Sequence, residues 1–255
     1  FERIVLVKKN AASLLKKHFE KKNYQAEMIM LSGNTDCYQP AERKFRITRQ
    51  ILELCLLHKH PIGIITKNSL LLRDLDLIKE LHHQQLIKIT LSITTLNEDL
   101  RRVLEPRTAS IKKRLHTLKT LSELGMQVNV NLAPIIPGLN NHEVFDLVKT
   151  IAEHGAASAN YIMVRLNGQI GEIFEAWVKQ TYPHRESKIL NQIKETHGGK
   201  LNDSRWKTRM RGQGKYAEQV KDMFNLAKKM HLPEIEKTVL NCSSFVANPR
   251  TPTLF

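Results

Sequence analysis

Polar and ionisable residues cluster directly behind the short apolar runs of this chain. Asn34, Thr35 and Asp36 follow residues 28–31, and Thr66 and Lys67 close residues 62–66. Ser92, Thr94 and Thr95 end residues 87–93, residues 134–138 close 128–135, and Arg165 lies within 161–166. Lys67 and Arg107 suit a carboxylate clamp, because an ammonium and a guanidinium both offer charged donors. Asp36 with Thr35 offers acceptors to an amino group, and Ser92 or Thr94 offers a hydroxyl to a ribose. The set suits a zwitterion joined to a nucleoside. Two plainer readings stand beside it. Asp36 and Thr35 could cap the helix that follows, with Thr94, Thr95 and Asn97 forming another helical N-terminus. Lys67 could instead be a Schiff-base nucleophile, with Asp36 or Glu105 as its acid-base partner, if burial holds the amine neutral.

These residues need a scaffold that brings strand ends together, and the apolar pattern predicts one. Residues 4–7, 28–31, 62–66, 87–93, 128–135 and 161–166 read as six strands. Helical spacing falls between them, over 11–22, at Phe45, Ile47, Ile51, Leu52, Leu54 and Cys55, and over 70–82, 110–124 and 144–154. Gly125 and Gly155 stand where helix C-termini need them. Such alternation implies parallel strands with right-handed crossovers, in an open doubly wound sheet or a (β/α) barrel. Neither GxGxxG nor GxxxxGK[ST] follows any strand, so a dinucleotide or P-loop fold loses its usual support and a whole or partial barrel leads. In either architecture the active site lies at the C-terminal ends of the strands.

The pattern changes at Asn167. Residues 1–166 form the predicted α/β unit, 167–240 a basic helical appendage, and 241–255 a flexible tail rich in Ser, Asn and Pro. Forty Lys and Arg against 25 Asp and Glu give a formal charge of +15 over 255 residues, which favours polyanions as partners. In the appendage Arg205, Lys207, Arg209, Arg211 and Lys215 lie near Trp206 and Tyr216, the pairing used for phosphate contact and base stacking, unless Trp206 is core and the charges a solvated face. Three cysteines, Cys37, Cys55 and Cys242, are too widely spaced for a metal knuckle and odd in number, which predicts a reducing cytoplasm. Cys55 reads as core and Cys242 as an incidental thiol. His58, His60, His82 and His83 lack partner ligands and read as surface histidines. No apolar run has the roughly 20 residues of a membrane helix, and no targeting segment precedes the first strand.

Five blocks in order carry a resemblance: Gly33-Asn34-Thr35-Asp36-Cys37-Tyr38-Gln39-Pro40, Thr66-Lys67, Ser92-Ile93-Thr94-Thr95, Leu104-Glu105-Pro106-Arg107, and Ala133-Pro134-Ile135-Ile136-Pro137-Gly138-Leu139-Asn140. With Asp203-Ser204-Arg205 and Arg209-Met210-Arg211-Gly212 they resemble radical SAM proteins of the spore photoproduct lyase-like group, labelled DNA repair photolyases. The resemblance implies a partial (β/α)6 TIM-type barrel with a C-terminal helical appendage. It also implies a lyase-like enzyme that binds S-adenosylmethionine and an iron-sulfur (4Fe-4S) cluster, forms a 5′-deoxyadenosyl radical, acts on DNA or another nucleic acid or nucleotide, and takes electrons from a flavodoxin or ferredoxin. By position, Thr35 and Asp36, beside Asn34, would receive the methionine amino group and Lys67 its carboxylate, with Arg107 in support. Ser92 and Thr94 would lie by the ribose, Pro134 and Ile135 by the adenine, and Arg165 on the same rim. The family's Cys-x3-Cys-x2-Cys segment is absent, and thiolates are obligatory for such a cluster, so its cysteines are expected upstream of Phe1. Spore photoproduct lyases carry Ala-Cys-Thr-Ser-Asp, whose cysteine donates hydrogen; Gly33 stands in its place here, leaving Cys37 as the candidate donor. A non-catalytic nucleic-acid-binding module is the alternative. The ending Leu254-Phe255 is similar to sliding-clamp peptides and suggests such a partner.

Overall fold

A computed structural model describes residues 5–206, 208–236 and 238–249. Five parallel strands form one sheet in the order β1-β2-β3-β4-β5. They are β1 (Ile29–Leu31), β2 (Ile62–Thr66), β3 (Ile87–Ser92), β4 (Asn129–Ile135) and β5 (Ser158–Met163). The crossovers carry α1 (Ala11–Phe19), α2 (Glu42–Phe45), α3 (Ile47–Leu57), α4 (Leu75–His83), α5 (Glu98–Leu104), α6 (Ile111–Glu123) and α7 (Val144–Glu153). After β5 come α8 (Ile170–Thr181), α9 (Glu186–Thr196) and α10 (Gly214–His231). The expected alternating α/β architecture is therefore present, with five strands among the described residues instead of six. Val5–Val7 is exposed or half-buried and outside the sheet: a three-residue apolar run is a strand only when its backbone pairs with a neighbour, and this one does not pair with the free edge of β1.

Register gives the sheet two unlike faces. Ile29, Ile62 and Ile87 align on one face, followed by Ile64 with Ile89, Leu91 with Val130 and Ala159, and Leu132 with Tyr161. These side chains join the buried cluster under α3, α4, α6, α7 and α10. The opposite face, turned into the barrel, aligns Met30 with Gly63 and Lys88, Ile65 with Thr90, Asn129 and Ser158, and Ser92 with Asn131 and Asn160. A Cβ at Gly63 would fall 2.6 Å from the Met30 methyl carbon, so a larger residue there would displace the flexible end of Met30.

Above the strand ends a second cluster joins Leu100, Ile136, Leu139, Val164 and Leu166 to Phe174, Val178, Ile189 and Ile193 of α8 and α9. Gly138, at φ +80°, brings the β4 loop against α9 where a side chain would meet Gln192 Oε1 at 2.8 Å. Helix α10 packs on α7 and β5, with Phe224 tilted on Tyr161 at 4.9 Å between ring centroids.

Two expectations change at the other end of the barrel. His58 and His60 are buried, not on the surface, in a cluster with Phe19, Tyr24 and Phe245. His60 stacks on Phe19 at 4.4 Å, while its Nε2 meets the Tyr24 hydroxyl at 2.7 Å. Burial holds its pKa below the ordinary histidine value. The segment expected to be a loose tail from Asn241 is tied down as far as it is described. Asn241 N donates to Gln85 O and Val246 N to His58 O, both at 2.9 Å, and His58 Nδ1 meets Val246 O. Composition misses this because Phe245 docks on rings from elements distant in sequence. Residues 250–255, including Leu254 and Phe255, lie outside the described residues. No helix is long and apolar enough to cross a membrane among the described residues.

Phe245 is only partly buried, so Phe245→Ala should cost less than a full core truncation, about 1–3 kcal/mol in urea unfolding. An unchanged midpoint would contradict the docking of 241–249.

Candidate functional site

The C-terminal ends of β1 to β4 converge on one buried carboxylate. Glu105, 8% exposed, accepts at Oε1 from Lys67 Nζ (2.5 Å) and Thr94 Oγ1 (2.7 Å), and at Oε2 from Arg114 (2.7 Å). Arg114, on the inner face of α6 and 2% exposed, also donates to Ala109 O, Ser92 O and the Thr108 hydroxyl. Burial works against ionisation of Glu105, but Lys67 and then Arg114 outweigh it and hold its pKa below the ordinary carboxylate value.

Asp36 fastens the β1 loop to the end of β2. Its Oδ1 accepts from Tyr38 N (2.8 Å) and Thr66 Oγ1 (2.7 Å), and its Oδ2 from Lys67 N (2.8 Å). An ionised carboxylate has about four acceptor positions, so about one is left for a ligand. The same loop passes through Ser32 at φ +76°, a left-handed conformation unusual for a residue with a Cβ, and Ser32 Oγ accepts from Cys37 N at 2.9 Å. On the far side Asn140, fully buried, donates to Thr94 O (2.7 Å) and Pro134 O (3.0 Å) and accepts from Ile136 N (2.6 Å). Glu143 accepts from the Thr95 hydroxyl and from Leu96 N.

The structure thus links Asp36, Lys67, Thr94 and the Ala133-Pro134 edge through Thr66, Glu105 and Asn140. Ser92 is buried beside them, and Ile135 is fully buried at the end of β4. Asn34 and Thr35 are exposed on the β1 loop, and Arg107 on the turn after Glu105. Arg165 follows β5 with its Nε buried and without a hydrogen-bond partner among the described residues. Asn97, in contrast, is an ordinary helix cap, its Oδ1 accepting from Asp99 N and Leu100 N. Arg114 is the member that sequence reasoning missed; its signal is a charged residue on the apolar stripe of Ile111, Leu118 and Leu121.

The cysteines stand apart. Cys37 packs against the main core, and burial pushes its thiol up to about 12. Cys55 is buried and Cys242 exposed. No group of three or more His, Cys, Asp or Glu among the described residues could hold a metal ion, so these residues do not fit an iron-sulfur cluster. In the appendage Trp206 is 76% exposed, not core, and Arg209 lies 4.6 Å from its ring centroid. Arg205 is bound to Asp203, whose pKa that hydrogen-bonded guanidinium depresses. Arg211 lies 4.2 Å from the Tyr161 ring centroid and donates to Tyr161 O, and Lys215 is exposed on the first turn of α10. Lys207 lies outside the described residues.

The family model of the Radical SAM superfamily matches residues 4–151. The chain belongs to the radical SAM superfamily. An uncharacterized protein of Mycobacterium tuberculosis is 28% identical over 190 residues, covering 74% of this chain and 56% of that protein. Another from Methanocaldococcus jannaschii is 33% identical over 189 residues, covering 74% of this chain and 67% of that one. This radical SAM chain thus spans little more than half of the mycobacterial relative. Among solved structures, spore photoproduct lyase complexed with dinucleoside spore photoproduct superposes with a TM-score of 0.62 at 16% identity, over 90% of this chain and 66% of that one. A mutant of that lyase with bound AdoMet and the dinucleoside gives the same score and coverage. The likeness is one of fold.

The depressed Glu105 pKa carries a sign. Its ion pairs stabilise the fold above the ordinary carboxylate range and cease to do so as pH falls through the lowered value. Glu105→Gln should cost about 2 kcal/mol at neutral pH, and the gap to wild type should close as pH drops below about 4. A gap that stays constant with pH would contradict the assignment.

Proposed function

We propose that the protein is a radical S-adenosylmethionine enzyme of lyase-like type that acts on a nucleic acid or nucleotide. The observation that carries this reading is the hydrogen-bonded rim at the ends of β1 to β4, where Lys67 stands fixed by Glu105 and hydroxyl and amide groups surround it. Lys67 receives the methionine carboxylate, with Arg107 on the neighbouring turn in support. Asp36 uses its remaining acceptor position, beside Asn34 and Thr35, for the amino group. Ser92 and Thr94 face the ribose, Pro134 and Ile135 border the adenine, and the unpartnered Arg165 Nε offers a further donor on the same rim. S-adenosylmethionine supplies, when bound, a sulfonium whose reductive cleavage yields the 5′-deoxyadenosyl radical. The 4Fe-4S cluster this chemistry requires takes its thiolates from outside the described residues.

Nucleic acid as the substrate class is supported by the charge of +15 and by the exposed Trp206 with Arg209 stacked on it, a platform suited to a base and its phosphate. The Schiff-base alternative loses ground because Lys67 Nζ is engaged by Glu105 instead of standing in an apolar pocket.

The test is to purify the intact natural protein without oxygen, add S-adenosylmethionine and dithionite, and quantify 5′-deoxyadenosine by mass spectrometry with and without single-stranded DNA. The reading expects bound iron and sulfide and release of the nucleoside. DNA binding by iron-free protein with no cleavage would overturn it in favour of a non-catalytic binding module.

A further inference from the structure

Two buried histidines hold the last described segment at the base of the sheet. Val246 N donates to His58 O and His58 Nδ1 meets Val246 O, both at 2.9 Å. A ring nitrogen facing a carbonyl oxygen carries the hydrogen, so the neutral His58 ring leaves Nε2 bare, buried and without a hydrogen-bond partner among the described residues. His60 takes the same tautomer: Nδ1 donates to Pro61 O at 2.9 Å, and Nε2 accepts from the Tyr24 hydroxyl at 2.7 Å. Phe245 lies edge-on to His60 at 5.5 Å and stacked on His58 at 6.2 Å between ring centroids. These are the bonds and the packing of two neutral imidazoles.

The surroundings do little to balance a charge on either ring. From α1, His18 lies edge-on to Tyr24 at 5.0 Å, and α3 contributes the buried Cys55, whose carbonyl accepts from His60 N. Burial, then Cys55 and Glu27, raise the Tyr24 pKa, so its hydroxyl stays a donor to His60. Glu27 itself is exposed, as is Lys59 between the two histidines. At the segment's other anchor, where Asn241 N donates to Gln85 O, α4 ends in His82 and His83. Residues 241–249 bring no charged side chain, and their one titratable group, Cys242, is exposed. Burial opposes a charge on His60 most strongly; the Pro61 carbonyl favours one and His58 opposes it. The ring faces of Phe19 and Phe245 return less by cation–π attraction than burying such an ion costs.

The anchored segment continues from residues that line a cavity. Leu232, Ile235 and Leu240 border a space of about 800 Å³ together with Thr90, Asn129 and Asn131 on the inward face of the sheet. We infer that residues 241–249 are an acid-released strap: when His58 and His60 take up protons, Phe245 and Val246 leave the base of the sheet and this cavity opens. Docking is at full strength above the ordinary histidine value of about 6.5 and weakens as pH falls below it, because the released rings take up protons that the docked rings exclude. The rim at the other end of the sheet does not share this response, since Glu105 titrates below the ordinary carboxylate value.

The experiment follows amide hydrogen exchange of the intact natural protein by mass spectrometry at about pH 7.5 and about pH 5, corrected for the pH dependence of the intrinsic rate. The inference expects peptides within 241–249 to lose protection about tenfold or more on acidification, the factor that one linked proton carries per pH unit, while β4 peptides stay protected. The double variant His58→Asn, His60→Gln keeps an amide nitrogen near the first ring's Nδ1 and an amide oxygen near the second ring's Nε2, and neither amide titrates. Its strap is expected to stay protected at both pH values. Equal protection of the wild-type strap at the two pH values overturns the inference, as does release of the variant's strap at the same pH as wild type. Loss of β4 protection together with the strap is global unfolding and overturns it too. If the variant's strap is already loose near neutral pH, the wild-type histidine C2-proton resonances decide. Titration midpoints of His58 and His60 that coincide with strap release support the inference, and midpoints about one pH unit or more away overturn it.

Discussion

The carboxylate of Glu105 is the point on which the site depends. It is buried, and a buried charge is tolerated only when its hydrogen-bonding positions are filled by groups that favour the ionised form. Lys67, Thr94 and Arg114 fill them, each from a different part of the chain: the end of β2, the residues after β3, and the inner face of α6. Desolvation and attraction nearly oppose each other, so the network need not add much stability. Its consequence is positional. Lys67 is held as a fixed cation at the barrel rim, and Arg114 pins the 105–111 turn so that this position is reproducible.

A second constraint follows from the parallel sheet. One face is covered by helices and is apolar almost throughout; the other faces a lumen and alternates with it along each strand. In β4 the alternation is Asn129, Val130, Asn131, Leu132, with the valine and leucine in the core and the asparagines in the cavity. Residues 232–236 and 238–249 run along the base of the sheet, where Gln127 exchanges hydrogen bonds with Glu236 O and Thr238 N.

Much of this architecture could be read in the residues alone, because the strand-end rule for parallel α/β folds is positional. It places Asp36, Lys67, Thr94 and Pro134 at one end of the sheet, and the structure links them. What escaped reading was long-range. Arg114 belongs to the site only because α6 turns its inner face to Glu105, although an arginine on an apolar stripe was a visible sign. His58 and His60 are buried because Phe19 and Phe245, from opposite ends of the chain, close over them. Val5–Val7 has the composition of a strand but no sheet neighbour, and pairing, unlike propensity, is not written in a short segment. The asparagines of β4 sit within an apolar run, and only their alternation marks a polar face.

The central claim is that Lys67, held by Glu105, is the carboxylate anchor for S-adenosylmethionine. Titration calorimetry of S-adenosylmethionine into the protein and into Lys67→Met, with matched melting temperatures, tests it most directly. The account predicts about tenfold weaker binding in the variant, the worth of one charge-assisted contact. Equal affinity in the two proteins would contradict it.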